Sequence, residues 1–165
     1  MSRTAAFVAV SKSELEKLLV DAANVGKFFV ERLEAQDKSQ VLDIDKSWHG
    51  IHFLLTGEQY GGEPPASLPI LGGVEFGPQI YYGPARYLTP EQVQEASAHL
   101  AATPIETLKE RYKPQALESA DIYPTGMWES EGDQAFDYLA HWYVLLGSFY
   151  ARAATRDQAM LLAIV

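Results

Sequence analysis

Two carboxylates, an ammonium, an indole and two imidazoles crowd the stretch that holds Asp43, Asp45, Lys46, Trp48, His49 and His52. On a helix beginning after Asp45, positions three and four apart share a face, so residues 45, 48, 49 and 52 lie side by side along it. Asp45, His49 and His52 could converge there on a metal ion, with Asp43 as a further ligand or as the carboxylate that orients an imidazole. The same groups would serve a small hydrolase, with His52 as base, Asp43 or Asp45 orienting it and Lys46 holding an anionic group of the substrate. The spacing differs from the zinc-protease helix, in which two His four apart enclose a Glu. A plainer reading makes Asp45 the N-cap of the helix, puts Trp48, Ile51 and Leu55 in the core and leaves His52 half-buried against backbone. It is favoured, because perturbed polar clusters often serve architecture. No catalytic residue or metal ligand is therefore assigned, and no cofactor is indicated.

A second concentration runs from Asp121 to Asp137, where acids alternate with Tyr123, Trp128 and Phe136. Carboxylates beside Tyr and Trp anchors have the makeup of an interface that faces a basic protein. Trp48, Tyr123, Trp128, Glu129, Glu131 and Asp133 are the binding candidates. The bland account is that Glu129, Glu131 and Asp133 favour a helix N-terminus and that the aromatics are core. Asp137 and His141, four apart, form at most a surface pair.

The formal net charge of -9, from 22 acids against 13 Lys and Arg, repels phosphate backbones and anionic membranes, so neither nucleic acid nor membrane is an expected partner. No Lys or Arg occurs between Lys113 and Arg152, which places a negative patch in the C-terminal third. The absence of Cys removes disulfides, thiolate metal sites and thiol nucleophiles, and fits a reducing compartment. The first ten residues lack the long apolar region of a secretory signal, and a cytoplasmic location is expected. No nucleophile elbow, Walker loop or dinucleotide fingerprint is present.

The elements that must position these groups follow from pattern. Arg3 to Val10 and Ala159 to Val165 read as buried strands lying beside one another, and Val41 to Ile44 as a short extended piece. Ser11 with Glu14 has capping-box spacing and starts a helix that Asn24-Val25-Gly26 splits in two. The helix after Asp45 ends at Gly57. From Gly57 to Pro84, glycines and prolines argue against regular helix, with extended pieces expected at Gly73 to Phe76 and Gln79 to Tyr82. Thr89-Pro90 and Thr103-Pro104 both carry the grammar of a helix start, a third turn follows from Pro114, and Ser130 with Asp133 opens a last long helix. That helix is apolar around most of its circumference, so it is central to the core or covered by a partner, a homodimer included. Strands and helices do not alternate strictly. The expected fold class is α+β, a single domain over residues 1–165 with a small mixed or antiparallel sheet packed against several helices.

The run Leu42-Asp43-Ile44-Asp45-Lys46, with Trp48, His52 and Leu55-Thr56-Gly57 at their spacings and Asp121-Ile122-Tyr123-Pro124 further on, resembles the bacterial YfbM-like family of unknown function. The resemblance implies a compact α+β bacterial domain covering nearly the whole chain, and brings no reaction, cofactor or catalytic residue. It also implies that position 49 varies, which leaves Asp43, Asp45, Lys46, Trp48 and His52 as the better candidates. The function expected is a non-enzymatic, cytoplasmic protein-binding module with an acidic surface, of immunity-type or regulatory character. The alternative is a small hydrolase or metal-binding enzyme using Asp43, Asp45 and His52.

Overall fold

A computed structural model describes residues 2–165. Strand β1 (Ala5–Val10) and strand β5 (Ala159–Ile164) pair antiparallel from Ala5 opposite Ile164 to Val10 opposite Ala159. Both are continuous apolar runs because both faces of the sheet are covered. Period-two alternation then sorts their side chains: Ala5, Phe7, Ala9, Met160 and Leu162 face one core, and Ala6, Val8, Val10, Leu161 and Ala163 the other. The remaining strands are β2 (Val41–Asp43), β3 (Val74–Gln79) and β4 (Pro84–Leu88), and the sheet order is β2-β1-β5-β4-β3, antiparallel throughout.

Helices α1 (Lys12–Val20) and α2 (Val25–Ala35) cover one face with Leu15, Leu18 and Phe29. The capping box forms as expected, the Ser11 hydroxyl accepting the Glu14 N–H and the Glu14 carboxylate accepting the Ser11 N–H, both at 3.0 Å. A 3-10 turn at Ala22–Asn24 makes the expected split.

The other face carries the larger core, built by α3 (Trp48–Thr56), α4 (Leu68–Leu71), α5 (Pro90–Ala102), α6 (Ile105–Arg111), α7 (Pro114–Ser119), α8 (Trp128–Glu131) and α9 (Asp133–Thr155). Thr89 and Gln92 form a second capping box at α5. Thr103 does not repeat it. Its hydroxyl donates to the His99 carbonyl at 2.8 Å, closing the end of α5 instead of opening α6. Ser130 likewise donates back to the Gly126 carbonyl, and Gly132, at a φ of 53°, separates the single turn of α8 from α9. In the Gly/Pro-rich segment one bulged strand, β3, replaces the two extended pieces, and α4 adds a helical turn that its prolines had argued against.

Along α9, Phe136, Leu139, Tyr143, Leu146, Phe149 and Tyr150 are buried, whereas Val144 and Leu145 reach solvent. Two close approaches require glycine. A Cβ on Gly50 would lie 2.8 Å from the Trp128 ring and 2.9 Å from Leu139, so α3 seats against α8 and α9 only without one. Gly73 has a φ of 78°, and its Cβ would meet the Tyr87 carbonyl at 2.1 Å. Among the described residues, no helix is long and apolar enough to cross a membrane.

Candidate functional site

The acids of the first motif are spent on local architecture. The Asp43 carboxylate, at the end of β2, accepts the Asp45 N–H at 2.7 Å and the Thr4 hydroxyl at 3.4 Å, closing the 3-10 turn Asp45–Ser47 that leads into α3. Desolvation, together with the Asp45 charge, holds its carboxyl above the ordinary value, against the pull of the Asp45 N–H. Asp45 is not the N-cap that its position promised. Its backbone is left-handed at a φ of 53°, which swings the carboxylate across to α9, where it accepts the Tyr138 hydroxyl at 2.6 Å. The same Tyr138 oxygen accepts the Lys46 N–H at 3.0 Å. Burial first, and then this bond to Asp45, pushes the Tyr138 hydroxyl well above its ordinary value. The helix itself begins at Trp48, behind Ser47, with no side-chain cap.

The imidazoles are buried more deeply than expected. His49 Nε2 lies 2.9 Å from the Gln59 carbonyl, and Nδ1 accepts the Tyr123 N–H at 2.9 Å, which together require the neutral tautomer with its proton on Nε2. Burial lowers its pKa, with help from the Arg3 charge and against the Gln59 carbonyl. His52 is not half-buried but sealed, and neither ring nitrogen makes a hydrogen bond of normal geometry, the Gly61 backbone offering only a weak contact. Burial, then the electrostatic influence of the neighbouring His49 ring and the Arg86 charge, push its pKa down to about 4, against the pull of the Gly61 backbone.

Asp43, Asp45, Lys46 and His52 therefore do not meet at one solvent-reaching hollow. Asp45 and Lys46 line a shallow trough with Met127 and Glu131, whereas His52 is enclosed. Asp45, His49 and His52 also fail as a metal set. Both His49 nitrogens are engaged, Asp45 turns toward Tyr138, and no group of three or more His, Asp and Glu among the described residues could hold an ion.

The structure opens a different hollow, a cleft of about 320 Å³ at the start of β1. Phe7, Ile70, Leu71 and Leu162 supply its apolar wall, and Arg3, Glu75, Arg86, Trp48, Tyr60 and Tyr82 its polar and aromatic one. Arg3 is held by its main chain from two sides: its N–H donates to the Tyr123 hydroxyl at 3.1 Å, and its carbonyl accepts the Trp48 indole N–H at 2.9 Å. Its guanidinium stands 5.2 Å from the Tyr82 ring centroid and 5.9 Å from that of Tyr123. Arg86 pairs with Glu75 at 2.8 Å, so among the described residues Arg3 is the cleft's cation without a carboxylate partner. Trp48 stacks on His49 at 4.7 Å and on Tyr123 at 6.1 Å. The two motifs of the resemblance thus meet around the Arg3 main chain. Arg3 and Tyr82 escaped sequence reading because each looks like the end of an extended piece with nothing to show what its side chain meets.

On the acidic face, Asp121, Glu129, Glu131 and Asp137 are exposed and Tyr123 is half-buried beside them. Glu118 is occupied, accepting the Gly126 and Trp128 N–H groups at 2.9 and 2.8 Å, and Asp133 pairs with Lys109 at 3.0 Å. Trp128 departs from the expected surface anchor. It is fully buried, its indole donating to the Ile122 carbonyl at 2.8 Å, because the close approach at Gly50 draws its ring beneath α3. Trp48 is buried too, apart from what it shows to the cleft.

Residues 1–163 match the family model described as a domain of unknown function, DUF1877. No curated protein matches the chain. Among solved structures, the crystal structure of YfbM, a protein of unknown function from Escherichia coli, is similar in fold, with 23% identity over 98% of this chain and 99% of that one and a TM-score of 0.72.

Proposed function

This chain belongs to the DUF1877 family of unknown function, and from that premise we propose that it is a non-enzymatic recognition protein whose acidic face holds a basic protein partner. The observation that carries this reading is the set of exposed carboxylates, Asp121, Glu129, Glu131 and Asp137, none of which has an ion-pair partner among the described residues. Half-buried Tyr123 offers an amphipathic contact near Asp121, and the region from 114 to 151 contributes no Lys or Arg of its own, Lys46 in the trough beside Glu131 being a cation from outside it. A field of this kind steers a basic partner and speeds encounter. A cytoplasmic protein of immunity-type or regulatory character fits such a surface.

The reading also draws on where the candidate catalytic groups sit. Asp43 and Asp45 are committed to an N–H and a phenol, and His52 is sealed, so a hydrolase built on them would first have to break the turn that leads into α3. The test is affinity capture from a bacterial lysate at low and high salt, with the unmodified chain and with a Glu129→Lys, Glu131→Lys, Asp137→Lys triple variant. A partner bound at low salt, released at high salt and lost in the variant is the expected result. Capture of nothing at low salt, or of the same protein by both chains, would remove the acidic face from consideration.

A further inference from the structure

We propose that the cleft at the start of β1 is a binding site for a small aromatic carboxylate, clamped by the Arg3 guanidinium; this goes beyond the acidic-face reading and rests on other residues. At about 320 Å³ the cleft lies at the small end of the roughly 300–1,000 Å³ span of small-molecule sites. Its charge runs against the rest of the protein. Two guanidiniums face one carboxylate in a chain of net charge -9, so the hollow is a local positive well in a negative surface. Glu75 already pairs with Arg86, which leaves the Arg3 fork as the guanidinium with no carboxylate beside it.

Arg3 is set for that task before any ligand arrives. The Trp48 indole and the Tyr123 hydroxyl fix its main chain, and the Tyr82 and Tyr123 rings flank its guanidinium. The Arg3 side chain is itself exposed, and its planar fork matches a carboxylate with two parallel N–H bonds. A single unmatched guanidinium suits a monoanion; a phosphate dianion would leave charge uncompensated in a partly apolar hollow. The body of the ligand is read by the walls. Phe7, Ile70, Leu162 and Trp48 back the hollow and are nearly sealed, while Leu71, Tyr60 and Tyr82 carry the accessible apolar and ring surface, so a flat apolar group next to the carboxylate fills the space.

The experiment is an NMR titration of the full chain that follows the Trp48 indole N–H, with phenylacetate, its neutral isostere phenylacetamide, and phenyl phosphate as probes. Phenylacetate is expected to give a saturable shift of that resonance, with phenylacetamide weaker by about tenfold or more, the worth of one charge-assisted contact. Phenyl phosphate is expected to bind more weakly than phenylacetate. Arg3→Gln should weaken phenylacetate by about tenfold or more, and Arg3→Lys by less, since the main-chain bonds of residue 3 survive both changes. Unchanged amide dispersion away from the cleft checks that the variants fold. No saturable shift up to about 10 mM phenylacetate, equal affinity for the amide, or unaltered binding by Arg3→Gln overturns the site. Tighter binding of phenyl phosphate overturns the assignment to a carboxylate.

Discussion

Nδ1 of His49, on the first turn of α3, accepts the backbone N–H of Tyr123, 74 residues further along the chain, at 2.9 Å. With Nε2 facing the Gln59 carbonyl, one neutral ring ties α3 to both the Gly/Pro-rich segment and the Ile122-Tyr123-Pro124 turn. Because Tyr123 in turn holds the Arg3 main chain, this imidazole sits beneath the cleft as a brace.

Replacing that brace has a calculable cost. His49→Ala orphans a part-buried N–H and a carbonyl, each worth about 1–3 kcal/mol, so urea denaturation should show a loss of about 2–6 kcal/mol. A loss under about 0.5 kcal/mol would mean that the two segments are held in some other way.

Acid should weaken the fold through His52. Its folded pKa of about 4 lies below the ordinary 6.5, so between those values the unfolded chain binds the extra proton. The stability it contributes is fully present above pH 6.5 and drains away as pH falls toward 4, by up to about 3 kcal/mol. His52→Leu removes two unpartnered ring nitrogens, so at pH 7 it should match or exceed the parent protein and show a flatter stability profile from pH 7 to 4. Parallel profiles for the two proteins would refute this.

Gly50→Ala tests the seat of α3 on α8 and α9. Alanine favours helix by about 1 kcal/mol, but its methyl would overlap Trp128 and Leu139, an overpacking cost of about 1–3 kcal/mol. We expect a lower thermal midpoint and altered Trp128 fluorescence; a raised midpoint would show that the helices part freely.

The acids of the C-terminal third should divide into two kinds. Glu118→Ala removes the acceptor of two backbone N–H groups at the start of α8 and is expected to cost about 1–3 kcal/mol, whereas Glu129→Ala, exposed and unpaired, should stay within about 0.5 kcal/mol of the parent. Equal effects in chemical denaturation would erase that distinction.

Much of this architecture was legible locally. The buried runs of β1 and β5, the capping boxes at Ser11 and Thr89, the break near Asn24 and the terminator Gly57 all depend on neighbours within a few residues, and each stands where pattern placed it. The family and the α+β fold were legible too, from the Leu42 to Gly57 run and the Asp121-Ile122-Tyr123-Pro124 motif. Only folding could reveal what those residues touch. Asp45 looks like a cap until Tyr138, 93 positions away, claims its carboxylate; Trp128 looks like a surface anchor until Gly50 lets α3 close over it; Arg3 looks like a strand edge until Tyr123, 120 positions away, takes its N–H. Periodicity reports which side of an element is apolar, but a hydrogen bond between distant segments leaves no periodic trace, so the candidate site belongs to the tertiary structure.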